Sequence, residues 1–136
     1  MKFVQSALAA VVLLSPLSSF AEVPAGMAKF QQLCASCHVM QGQATIAPPV
    51  YGMRNHLNDI TDKDEFVQHI IDWVKAPSAE KARMKGAIKK FGLMPALPYP
   101  EEDVRLVAEW LFEAKIDKPN WYDEHYRAEH GEAPSN

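Results

Sequence analysis

The sequence predicts an all-α fold of about four helices. Apolar residues recur at three- and four-residue spacing in several separate stretches, and none alternates as a half-buried strand would. Proline and glycine fall between these stretches and punctuate them. The chain has 136 residues, 48% of them hydrophobic and 23% charged, which suits one domain with its own core.

Residues 1–21 read as a secretory signal. Lys2 supplies the positive start, Ala7 to Leu14 a short apolar run, Pro16 a break, and Ser19-Phe20-Ala21 the small residues of a cleavage site. The run is shorter than the roughly 20 residues that a membrane span needs. The expected product is therefore periplasmic and not itself membrane-spanning. Lys2 is the only charge in the segment, so cleavage moves the net charge from -3 to one unit more negative. That balance, with no run of Lys and Arg, argues against nucleic acid as a partner.

A first helix is expected from Pro24 to about Ser36, with Met27, Phe30 and Leu33 on one side. Residues 39–60, broken by Gly42, Pro48, Pro49 and Gly52, read as a long loop. Thr61 is expected to cap the next helix, with Asp64 three residues on. Phe66, Val67, Ile70, Ile71 and Val74 give that helix its apolar face, and Pro77 ends it. Ser78 is expected to cap a more basic helix that reaches Phe91, where Gly92 stops it. Residues 92–100, GLMPALPYP, hold three prolines and suit no regular element. A last helix starts near Pro100, with Glu101, Glu102 and Asp103 at its positive end. Its buried stripe is Val104, Val107, Leu111 and Ala114, with Leu106 and Trp110 beside it. The domain is thus expected over residues 22–116. Residues 117–136 are left as a polar tail, with at most a short helical turn near Trp121, Tyr122 and Tyr126, and the helical core is expected to close before it.

The cysteines carry the chemistry. In an exported chain a pair would ordinarily form a disulfide. Cys34 and Cys37 enclose only two residues, and closing so short a loop stabilises little. With His38 they read Cys-Ala-Ser-Cys-His, the C-x-x-C-H signature of covalent haem attachment. Two thiols can add to the two haem vinyl groups, and the adjacent imidazole is placed to ligate iron. A thioredoxin-like pair belongs to an α/β fold, and no strands are expected here. A zinc site needs about four ligands, and His56, His69, His125 and His130 make no paired spacing with the motif.

For a sixth iron ligand the chain beyond the signal offers Met27, Met40, Met53, Met84 and Met94. Met40 is too near His38, Met27 precedes the motif, and Met84 falls in the expected basic helix, where packing is the simpler role. Met53 follows a loop glycine and stays a candidate. Met94 is preferred. It lies 56 residues beyond His38 in a segment without helical hydrogen bonds, and Pro95 fixes the backbone beside it. Its competing role is a plain core methionine.

On these residues the chain resembles a small class I cytochrome c over about residues 24–115. The resemblance is carried by Gly26, Phe30, CASCH, Ala47-Pro48-Pro49, Leu93-Met94-Pro95 and the closing helix with Trp110. It implies one covalent haem c with His38 and Met94 on the iron. It also implies first and last helices that cross closely, Gly26 and Phe30 against Val107 and Trp110. A proline carbonyl would hold the His38 Nδ1–H and strengthen the ligand; Pro48 is preferred, with Pro49 the alternative. Outside the family signature, Tyr51, Arg54 and His56 are candidates to meet the haem propionates, since Arg matches carboxylates, against a solvated loop. Trp73 is a candidate propionate donor, against an ordinary core role.

The implied function is a single-electron carrier and not an enzyme, exchanging electrons with membrane-associated redox proteins. A haem peroxidase or gas-binding protein would need an open sixth position. A dedicated subunit of a membrane oxidase or dehydrogenase would use the tail for docking.

Overall fold

The computed structural model describes residues 22–132, so the expected signal segment lies outside the described residues. Within them the chain is all-helical: α1 Ala25–Leu33, α2 Val50–Asn55, α3 Lys63–Lys75, α4 Lys85–Phe91, α5 Glu101–Glu113 and α6 Tyr122–His130. No described helix is long and apolar enough to cross a membrane.

The frame is α5 with α1 on one side and α3 on the other. The α1–α5 approach depends on Gly26. A Cβ there would lie 2.1 Å from the Leu106 carbonyl oxygen and 2.4 Å from Trp110 Cβ, so only glycine fits. One turn on, Phe30 is 1% exposed and packs its ring 5.3 Å from that of Trp110. Burial of such a side chain stabilises the fold by about 1.5–3 kcal/mol. Lys29 pairs with Asp103 at 2.8 Å across the same crossing, which adds at most about 1 kcal/mol at a surface.

The α3 helix carries two apolar stripes. Val67 and Ile71 pack with Val104 and Ala108 of α5. Phe66, by contrast, belongs to the main core with Phe30, Val50, Val107 and Leu111. The cap of α3 is Asp62, not the expected Thr61: its carboxylate accepts from Glu65 N–H at 2.9 Å. Both residues can cap, and a one-residue choice between adjacent cappers is set by the backbone.

Other boundaries differ from the sequence expectation. The first helix stops at Leu33, and the Cys34–Cys37 stretch is a turn. The expected loop 39–60 contains α2, which starts directly after Pro49, a position where proline's fixed φ suits a helix entry. The basic helix begins at Lys85 rather than Ser78, because Lys85 Nζ donates to the Ala79 and Glu80 carbonyls and holds the preceding residues in a turn. Gly92 ends it at φ +85°, as expected of a glycine stop. Residues 92–100 form no helix or strand, and Leu97 N–H donates to the Val74 carbonyl at 3.1 Å.

The largest difference is at the C-terminal end. The stretch expected to stand apart as a tail carries α6, and Tyr122 is 2% exposed. Its hydroxyl accepts from Asn55 Nδ2 at 3.3 Å, and its ring meets Tyr51 edge-on at 4.7 Å. Residues 117–132 thus do not stand apart from the helices before them: Tyr122 is packed against α2.

Candidate functional site

The turn after α1 gathers the reactive groups. Cys34 N–H donates to the Phe30 carbonyl at 2.8 Å, Cys37 N–H to the Cys34 carbonyl at 3.1 Å, and His38 N–H to the same carbonyl at 2.9 Å. These bonds continue the helical winding for one more turn, so residues three and four apart share a side. Cys34 is half-buried, Cys37 is exposed, and both are free thiols. Burial, and then the neighbouring Cys37, push the Cys34 thiol up to about 11.

His38 is oriented from behind. Its Nδ1–H donates to the Pro48 carbonyl at 2.8 Å. The Pro49 carbonyl, the alternative partner, instead accepts from Met53 N–H at 3.0 Å inside α2. A carbonyl can only accept, so the tautomer is set with the proton on Nδ1 and the lone pair on Nε2. Burial pulls the His38 pKa below its ordinary value, opposed by the Pro48 hydrogen bond. The imidazole is therefore neutral at pH 7, the form that binds a metal.

Cys34, Cys37, His38, Pro48, Arg54, Trp73 and Met94 all line one cavity of about 400 Å³. Its walls are mainly apolar and come from every helix except α6. A second, shallower depression of about 570 Å³, lined by Ile71, Leu97 and Tyr99 among others, holds no Cys, His or Met.

Each remaining residue has a defined setting. Arg54 is half-buried on α2 and not in a solvated loop; its guanidinium stacks 5.0 Å from the Phe66 ring centroid and 5.5 Å from that of Phe112. No carboxylate among the described residues pairs with it. His56 also lines the cavity, with Nδ1–H donating to the Gly52 carbonyl at 2.8 Å. Tyr51 does not line it and faces Tyr122. Met53 and Met84 reach the cavity as well as Met94, whereas Met27 and Met40 do not. Met84 caps the start of α4 rather than sitting within a helix.

Sequence reasoning passed over His69 and Arg83, which also line the cavity. The signal for His69 was present: Phe66, His69, Ile70 and Trp73 follow helical spacing and form the cavity-facing stripe of α3. Burial, then the charge of Arg83, lower the His69 pKa.

The donor set fits the group that the motif predicts. Two thiols and one Nε2 lone pair stand on a single turn, thioethers enter from other segments, and the Arg54 guanidinium, with no carboxylate partner among the described residues, suits a carboxylate of the group. No protein family's sequence profile, no curated protein and no solved structure matches the chain significantly.

Proposed function

We propose that this chain is a periplasmic single-electron carrier with one covalently attached haem c, in the manner of a small class I cytochrome c. The observation that carries the reading is the convergence, in one apolar cavity, of the Cys34-Cys37-His38 turn with Met94 and Arg54. The close α1–α5 approach at Gly26 supports it. A bound haem c would supply a one-electron ferric/ferrous couple.

The residues of the chain do the rest. Cys34 and Cys37 tether the macrocycle through thioether bonds. His38 offers Nε2 to the iron, and the Pro48 carbonyl holds the ring and raises its basicity. Met94 would supply a second ligand, a soft sulfur that favours the ferrous state. Arg54 would hold a propionate. Trp73, whose indole N–H has no hydrogen-bond partner among the described residues, would offer it to a propionate as well. The apolar walls exclude water and disfavour the more charged ferric centre. Ligation by both His38 and Met94 would leave the iron no place for a substrate, which suits a carrier and not an enzyme. Its partners are other redox proteins, donors and acceptors at the membrane.

The ligand assignment is tested by replacing three methionines one at a time. Met94→Ala should abolish the near-red charge-transfer band of ferric iron bound to thioether sulfur, open the sixth position to carbon monoxide and lower the potential. Met53→Ala and Met84→Ala should keep the band and lose only packing, up to about 2–5 kcal/mol for a fully buried methionine. Loss of the band in either of those two instead would move the ligand to that residue. If the unmodified protein lacks the band and binds carbon monoxide readily, the carrier reading fails and a sensing or catalytic role replaces it.

A further inference from the structure

We propose that α6 is a brace that holds α2 in place at the cavity, and that Tyr122 is a positioning residue acting through Arg54. The consequence for the potential rests on the haem reading above; the brace itself does not. The α2 helix has six residues and no side-chain cap, too short to be stable alone. Its ends are anchored in the core by Val50 and Leu57. Between those anchors one side lines the cavity with Met53, Arg54 and His56.

The other side of α2 meets α6. The Tyr122 hydroxyl accepts from Asn55 Nδ2 at 3.3 Å, and its ring packs against Tyr51 at 4.7 Å. The same ring lies against Gly52 of α2, where a Cβ would make an ordinary contact with it at 3.6 Å. At the adjoining end of α6, Trp121 Nε1–H donates at 3.1 Å to the carbonyl of Gly42, in the loop that leads to Pro48. One short C-terminal helix is therefore tied to two of the segments that present site residues, α2 with Arg54 and the loop with Pro48. Tyr51 and Gly52 precede Arg54 and Asn55 follows it, so the Tyr122 ring packed on the first two, with the weaker 3.3 Å bond to Asn55 beside it, limits how far the guanidinium can leave its place over Phe66 and Phe112. A cation fixed there favours the reduced, less positive iron centre, so loosening the brace lowers the potential.

The test combines hydrogen exchange with potentiometry on the full chain carrying Tyr122→Leu, Tyr122→Phe, Arg54→Gln, and Tyr122→Leu with Arg54→Gln. Tyr122→Leu should speed exchange at the Met53 and His56 amides by about tenfold, leaving the α1 and α5 amides within about twofold of the unmodified chain. It should also lower the potential. Tyr122→Phe keeps the ring contacts and should restore most of both. In the Arg54→Gln background, Tyr122→Leu should produce no further drop in potential, because the residue it acts through is gone.

If Tyr122→Leu does not yield folded protein, Tyr51→Ala loosens the same contact from the α2 side and should give the same local acceleration. Unchanged α2 exchange, acceleration spread equally over α1 and α5, or a potential drop that simply adds to that of Arg54→Gln would each overturn the proposal. If the chain carries no haem, the reading above fails, and exchange at α2 alone then decides for or against the brace.

Discussion

Gly26→Ala is expected to destabilise the folded chain by about 3 kcal/mol, the top of the usual range for overpacking a core. The added methyl would fall 2.1 Å from the Leu106 carbonyl oxygen and 2.4 Å from Trp110 Cβ. The first of these is backbone, so no rotamer change relieves it; α1 must move off α5. That movement parts the Phe30 and Trp110 rings and stretches the Lys29–Asp103 pair. Gly86→Ala is the matched control. Its Cβ meets only the Glu129 carboxylate at 3.6 Å, an ordinary contact in a helix where alanine is the better former. Thermal unfolding should show a fall of roughly 10 °C or more for Gly26→Ala and no fall for Gly86→Ala. Equal melting of Gly26→Ala and the unmodified chain would mean that the two helices do not approach as described.

His38→Ala is expected to have an all-or-none effect on maturation. On the proposed reading it removes the nearer iron ligand while leaving both thiols in place. It also strips the part-buried Pro48 carbonyl of its donor, at a cost below the roughly 1–3 kcal/mol of a fully buried acceptor. Expressed in cells that attach haem, the variant should accumulate without a haem absorption band. A variant that matured normally, with an unshifted spectrum, would show that His38 is not the ligand and that its hydrogen bond to Pro48 serves only to close the loop.

How much of this was legible in the sequence follows from how local each feature is. The Cys34-Cys37-His38 turn is legible because its chemistry fixes residue types at fixed short spacing. The α3 and α5 helices announce themselves through periodic apolar faces, and acids in the first turn mark both starts. The α2 helix was read as loop because two prolines and a glycine fall within five residues. Pro49 instead precedes the helix, and Gly52 lies within it beneath the Tyr122 ring. That contact spans 70 residues of sequence and is invisible to any local pattern. The α6 helix was read as a tail for the same reason. In YDEHYRAEH only Tyr122 is buried, and the single i,i+4 pair that it makes with Tyr126 in an otherwise polar run is too little to set an apolar face. Likewise the position of Met84 differs from the expectation while its packing role does not: with the α4 start at Lys85, it stands at the N-cap position and lines the cavity.

The central claim is that Cys34 and Cys37 bind a haem covalently. The direct measurement is the intact mass of the denatured chain, purified from cells that attach haem, together with its absorption after acid–acetone extraction. The account predicts the mass of the chain plus one haem, with the colour remaining in the protein precipitate; Cys34→Ala with Cys37→Ala should lose both. A chain of unmodified mass, or colour that passes wholly into the acetone, would contradict it.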